Sequence, residues 1–372
     1  MDAISKFPLY LPGRESENND HLSFISSDIR QEKTLLAHCT THNGQVILEQ
    51  EKYYPTKSYE SFSEIVLHFM KDIGISEFSR IAVGTPGPVI NGQCVSIRLP
   101  WMLDAEKIKT ETGIDRVYLI NDVEATAYGL ADLCNDSLTS VYESDTPTTG
   151  NVAILAPGEG LGEAGLYYDG TYLRPFATEG GHSEFSPRTN IEVEFYQFLN
   201  QIYGIVSWEN VLSKNGLFNI FRFLRDEKRH PLSEKLLAKL QDEEDFCVAI
   251  YRSVIEDQEQ ISTITLNTYL EFLAREANSL VLKLKATGGL LIGGELPFLF
   301  KGGTSMLLHL PTLSRLSIDI DIVSPASDEQ LKRVVGKIAG TAPFTRCTEN
   351  VRGSTSGRQP WPKRRHFRCV FP

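Results

Sequence analysis

The run Val117-Tyr118-Leu119-Ile120 reads as a buried strand, and it leads without a break into Asn121-Asp122 and a helical stretch from Val123 to Leu130. A strand passing straight into a helix start is the building unit of open α/β folds, which place their ligands at the carboxyl ends of the strands. A carboxylate at that junction therefore constrains both fold and site. The alternation continues on either side. Strand signals at 22–25, 34–37 and 46–48, with the turn pair Asn43-Gly44, predict an antiparallel meander. Phe62, Ile65, Val66, Phe69 and Met70 recur with helical period, and Ser61 with Glu64 makes a capping-box pattern at the start of that helix. Ile81-Ala82-Val83 predicts a further strand that ends in Gly84-Thr85-Pro86-Gly87-Pro88. A second half begins near Asn151. There Val152–Leu155 and Gly165–Tyr168 flank a glycine-rich turn, and helical patterns fill 190–285.

Composition narrows the class. Of 372 residues, 41% are hydrophobic and 23% charged, which fits a soluble globular chain long enough for two domains. The formal net charge of −11 argues against nonspecific nucleic-acid binding by the chain as a whole. From Ala342 onward, seven basic side chains face a single acid, Glu349, and read as a solvated tail rather than a nucleic-acid arm. Cys39, Cys94, Cys134, Cys247, Cys347 and Cys369 are scattered with no CxxC spacing, as expected for reduced thiols in the cytoplasm. No secretory signal and no membrane-length apolar run is visible, so no membrane partner is expected. Residues 1–21 read as a flexible leader.

Asn121-Asp122 gains meaning from the segment Ala177-Thr178-Glu179-Gly180-Gly181-His182-Ser183-Glu184-Phe185-Ser186-Pro187-Arg188. Together the two resemble the sugar site of bacterial glucokinases. Further matches are Gly84–Gly92, Leu99-Pro100-Trp101, Val206–Ser213 and Phe221–Asp226, and the resemblance runs from about residue 22 to Pro297. It implies an α/β, actin-like ATPase fold of two ribonuclease-H-like halves around a cleft. A small domain would span 22–122, and a large one, incomplete at its C-terminal end, 123–297. The implied activity is ATP-dependent phosphorylation of glucose or a similar hexose to the 6-phosphate, with Mg²⁺. On this resemblance Asp122 is the catalytic base, Asn121, Glu179, His182 and Glu209 are sugar ligands, and Asp28 lies near the metal. A homodimer is compatible with it. Taken singly, Asn121-Asp122 also reads as a helix cap, His182 as a structural histidine, and Gly180-Gly181 as a turn.

The nucleotide positions depart from the family pattern. Its first phosphate hairpin reads Asp-(Ile/Val)-Gly-Gly-Thr, whereas here it is Asp28-Ile29-Arg30-Gln31-Glu32. The second, Gly-Thr-Gly-Leu-Gly, appears as Gly158-Glu159-Gly160-Leu161-Gly162. Glycine lets the backbone approach phosphate closely, so both glycines lost from the first hairpin matter. A carboxylate about 4 Å from a phosphate charge costs roughly 4 kcal/mol at an effective dielectric near 20. That is roughly a thousandfold in rate if it falls on the transition state. The adenosine segment keeps Gly293 and Gly294 but adds Glu295, and Ser213-Lys214-Asn215-Gly216 stands for Ser-Gly-Pro-Gly. Impaired activity, or a noncatalytic sugar-binding protein, is consistent with these changes.

After Pro297 the pattern changes. Gly302, Gly303 and Ser305, followed by Asp319 and Asp321, resemble the start of an AbiEii-type nucleotidyltransferase toxin. Alternating aspartates on a strand face one side and can share Mg²⁺, and glycine backbone with a serine hydroxyl can hold a triphosphate. The same residues also read as a turn and a solvated strand face. The segment 298–372 is short for a whole toxin, so a truncated fragment is expected.

Overall fold

The computed structural model describes residues 7–11, 21–42, 45–131, 147–242, 245–294 and 296, together with two later strands. It divides into two compact units, one from Ile4–Asp132 with Thr171–Glu179, the other from Leu133–Gly170 with Gly180 onward and Met1–Ala3.

The first unit begins with the predicted meander: β1 (Ser23–Ile29), β2 (Lys33–His42) and β3 (Gln45–Pro55). The expected Asn43-Gly44 turn lies outside the described residues. Helix α1 (Phe62–Ile73) follows. Ser61 Oγ accepts from the Glu64 amide, and the helix stops at Gly74, whose φ of 72° suits a residue without Cβ. The reciprocal capping bond shifts by one residue, because Glu64 accepts from the Glu60 amide (2.9 Å). The apolar face of α1 (Phe62, Ile65, Val66 and Phe69) packs on Ile25, Ile29, Ile81 and Val83. Strand β4 (Arg80–Thr85), the short strands β5 (Val89–Ile90), β6 (Gln93–Cys94) and β7 (Leu103–Asp104), helix α2 (Ala105–Thr112), strand β8 (Val117–Asn121) and helix α3 (Asp122–Gly129) complete the run. The sheet order is β3-β2-β1-β4-β8, with β4 parallel to both β1 and β8. Register decides what this sheet presents: Asp28 lies opposite Gly84, and Thr85 opposite Asn121. Asp28 and Asn121-Asp122 therefore finish at the same carboxyl end of the parallel strands.

Next in the chain come β9 (Val152–Pro157), β10 (Leu161–Tyr168) and β11 (Leu173–Thr178). Strand β11 groups with the first unit, where it packs against α3. Residues 7–11, from the segment read as a leader, pair with it: Tyr10 N–H donates to Leu173 O (2.9 Å) and Leu173 N–H to Pro8 O (2.7 Å).

The second unit holds β9 and β10 as a hairpin. Helices α4 (Asn190–Tyr203), α5 (Lys214–Arg222), α6 (Glu234–Asp242), α7 (Phe246–Asp257) and α8 (Gln260–Leu284) follow, then β12 (Gly289–Ile292), parallel to β9. Its core is aromatic. The Phe185 ring meets Trp208 edge-on at 5.0 Å, and Phe195 stacks on Phe272 of α8. Strands β13 (Arg346–Val351) and β14 (Arg365–Val370) form a separate antiparallel pair. Gly302, Gly303, Ser305, Asp319, Asp321 and Glu295 lie outside the described residues.

Candidate active site

In the first unit the site is built on the β8–α3 junction. Asn121 has an extended backbone (φ −61°, ψ 142°), and its Oδ1 accepts from the amides of Val123 (3.0 Å) and Glu124 (3.2 Å). Its Nδ2 donates to Gly87 O (3.2 Å). The side chain is buried and caps α3, which fixes the first helical residue, Asp122, at the strand end. Asp122 Oδ1 in turn accepts from the Val123 amide (2.9 Å). Burial pushes the Asp122 carboxyl above its ordinary value; the Asp28 charge adds to this, and the Val123 N–H with Arg98 and Arg30 opposes it. A carboxyl tuned upward in this way is suited to receive a proton. Desolvation raises the buried Cys94 thiol, with the charges of Glu179 and Asp122 adding and the Thr85 hydrogen bond opposing. Asp28, Asn121, Asp122 and Glu179 are thus all carried by this unit.

His182 and Glu209 belong to the second unit. His182 Nε2 lies 3.9 Å from Glu209 Oε1. Glu209 Oε2 accepts from the Leu161 amide (3.0 Å), and the Glu209 amide donates to Gly181 O (2.8 Å). Gly181 is required here by packing, since a Cβ would sit 2.2 Å from Leu161 O. The chain passes from one unit to the other between Glu179 and Gly180.

The two hairpins expected at the phosphates differ in charge. At the β1–β2 turn Arg30 N–H donates to Lys33 O, and Thr56 ties the turn from outside through its N–H to Glu32 O (3.0 Å) and its hydroxyl to Arg30 O (2.7 Å). Arg30 Nε donates to Asp28 Oδ2 (2.8 Å), and Lys57 Nζ to Glu32 Oε1 (2.7 Å). At the β9–β10 turn Gly158 N–H donates to Gly160 O (2.8 Å), and Lys214 N–H to Gly158 O (2.9 Å). Lys214 Nζ reaches Glu159 Oε1 at 2.8 Å. Gly293 N–H donates to Leu155 O, and a Cβ on Gly294 would lie 2.0 Å from Pro157 O. Both acidic substitutions thus carry cationic partners. The partners of Glu32 and Glu159, Lys57 and Lys214, are distant in sequence and could not be found from local pattern.

The carboxylate nearest the expected metal position, Asp28, is already paired with Arg30 through Oδ2. Among the described residues no group of three or more His, Cys, Asp or Glu side chains is assembled for a metal. Asp28 offers one carboxylate, as suits an ion held mainly by phosphate and water.

The model of the family "Glucokinase" matches residues 25–299, about three quarters of the chain. The chain belongs to the glucokinase family. Its relatives include the glucokinase of Nostoc punctiforme, 30% identical and covering 73% of this chain and 83% of that protein. That of Synechocystis is 29% identical over 76% and 87%. Among solved structures, Balamuthia mandrillaris glucokinase in complex with glucose superposes with a TM-score of 0.64 at 18% identity, covering 79% of this chain and 86% of that one. A Streptomyces griseus ROK-family glucokinase in complex with glucose and AMPPNP gives 0.52 at 15%, covering 73% and 83%. These establish the actin-like ATPase fold for this glucokinase-family chain. Residues 291–372 match a second family, "Nucleotidyl transferase AbiEii toxin, Type IV TA system".

Proposed function

We propose that the protein transfers the terminal phosphoryl group of ATP to the 6-hydroxyl of glucose, giving glucose 6-phosphate and ADP. The observation that carries this reading is Asp122, capped into place at the carboxyl end of β8 with its carboxyl tuned upward. As the hydroxyl oxygen bonds to phosphorus and the bond to the ADP oxygen breaks, Asp122 takes the hydroxyl proton. Glu179, His182 and Glu209 pair with sugar hydroxyls, so that an analogue lacking one leaves a polar group unpaired. Asn121 serves chiefly through its cap and has a second amide hydrogen to offer the sugar. Asp28 would hold the magnesium ion, whose role is to neutralise phosphate charge. Gly158, Gly160, Gly162, Gly293 and Gly294 would line the nucleotide. The altered hairpins make the reaction slow rather than absent, because Lys214 offsets Glu159 and Lys57 offsets Glu32. A cytoplasmic location is the reading that an ATP-dependent reaction supports; among the described residues no helix is long and apolar enough to cross a membrane.

The test is phosphorus NMR of the protein with ATP, Mg²⁺ and glucose. Glucose 6-phosphate appearing in step with ADP supports the reading. Calorimetric glucose binding with no product would replace it with a noncatalytic sugar-binding protein. For 298–372, the AbiEii match supports a nucleotidyltransferase-like segment in which Gly302, Gly303, Ser305, Asp319 and Asp321 would bind a nucleotide and its metal. Label transfer from a nucleotide to RNA or protein, abolished by Asp319→Ala, tests that assignment; no transfer with any nucleotide dismisses it.

A further inference from the structure

The segment 7–11 precedes the first family-matched residue and has no part in the chemistry above, yet it is built into the first unit. Leu9 is 7% exposed and makes a parallel bridge with Leu173 of β11. Two backbone hydrogen bonds flank it, Tyr10 N–H to Leu173 O (2.9 Å) and Leu173 N–H to Pro8 O (2.7 Å). The Arg174 guanidinium stands 3.9 Å above the Tyr10 ring, and the Tyr10 and Tyr172 rings meet edge-on at 6.1 Å. Strand β11 also packs against α3, so the N-terminal segment and α3 both bear on β11. Each of the two clamped elements leads to a site carboxylate: α3 starts at Asp122, and β11 ends one residue before Glu179.

We infer that residues Pro8–Tyr10 form a positioning strap that holds β11 on α3 and thereby sets Glu179 relative to Asp122 for sugar binding. Leu173 and Thr178 are the two ends of one continuous strand, so a shift of the strand at Leu173 carries along it towards Glu179. Loss of the strap at Leu173 therefore displaces Glu179 without touching Asp122. The sugar-binding part of this inference rests on the glucose reading of the site.

Two disruptive variants and one conservative control, all in the full chain, test it. Tyr10→Ala removes an exposed ring and the cation–π contact, Leu9→Asp removes the buried anchor, and Tyr10→Phe keeps the ring as the conservative control. Loss of one cation–π contact with weakened backbone bonds is expected to raise the KM for glucose about tenfold. The kcat at saturating glucose and the KM for ATP stay near wild type, and Tyr10→Phe restores the glucose KM. A glucose KM unchanged in both disruptive variants overturns the inference. Amide hydrogen exchange supplies an arm independent of turnover. Faster exchange over 171–179 in Tyr10→Ala and Leu9→Asp, reversed in Tyr10→Phe, supports the strap even if wild type makes no glucose 6-phosphate, in which case only the glucose reading fails. Unchanged exchange over 171–179 overturns the strap whatever the activity.

Discussion

The β1–β2 and β9–β10 turns occupy corresponding places in the family pattern but have kept different things. The first has lost its glycines, and its replacements Arg30, Gln31 and Glu32 are exposed side chains, two of them tied in ion pairs with Asp28 and Lys57. The second keeps its glycines, and the backbone around it is crowded. Lys214 N–H bonds to Gly158 O, Gly294 presses on Pro157, and Gly181 presses on Leu161. Gly181 and Gly294 sit where neighbouring backbone leaves no room for Cβ, whereas the first hairpin's turn projects into water. Packing therefore accounts for Gly181 and Gly294 without a nucleotide, which makes Gly294 a weak witness to nucleotide binding. Asp122 is the stronger witness, since placing a carboxyl in a desolvated position beside Asp28 is costly and packing does not call for it.

If the sugar side is the working half, its acid dependence should be the largest effect. Asp122 must be ionised to take the proton, so turnover falls about tenfold per pH unit below its pKa. That limb should lie above the ordinary carboxylate range, because burial raises Asp122, and it is read from kcat against pH. A limb at ordinary aspartate pH would remove the distinction between the two regions.

The strand leaving the second hairpin gives the next effect. Glu163 on β10 is 2% exposed and Glu276 on α8 is 0% exposed; Lys283 Nζ donates to Glu276 Oε1 at 3.0 Å. Burial, with the Glu276 charge and hydrogen bond adding and Lys283 opposing, pushes the Glu163 carboxyl up to about 7. Burial also raises Glu276, against Lys283 and Arg275. Lys283 thus holds the Glu276 carboxylate, whose charge favours the protonated form of Glu163. A raised carboxyl stabilises the fold fully below its unfolded value near 4.5, and the contribution drains as pH rises to about 7. The loss is about 3 kcal/mol. Glu163→Gln should flatten that slope in urea unfolding between these pH values; an unaltered slope would show that another group carries it.

Crowding around the second hairpin predicts a smaller change. Gly181→Ala should lose about 2 kcal/mol of stability from overpacking against Leu161 O, seen as a lower urea midpoint. An unchanged midpoint would show that the Leu161 backbone gives way and that packing does not fix Gly181. Least of all, Glu159→Thr should raise kcat about tenfold, since Lys214 already cancels part of the repulsion.

Local pattern made much of the fold legible. The meander, α1 with its Ser61 cap, and the β8–α3 junction all follow from period and capping residues a few positions apart. Asn121 shows why two readings of one motif need not compete: it caps the helix, and by doing so it places Asp122. What stayed hidden depends on chain closure over long separations. Lys57 meets Glu32, Lys214 meets Glu159, Glu163 meets Glu276, and Leu9 bridges Leu173. No local period encodes such pairs, because the sheet register and helix packing that create them are properties of the whole unit.

The account stands most directly on Asp122. ADP release with ATP, Mg²⁺ and glucose, measured for wild type beside Asp122→Asn with calorimetric glucose binding on both, isolates its role. The expected result is glucose binding in both proteins and a glucose-dependent rate that falls roughly a thousandfold in the variant. Equal rates in the two proteins would contradict Asp122 as the base.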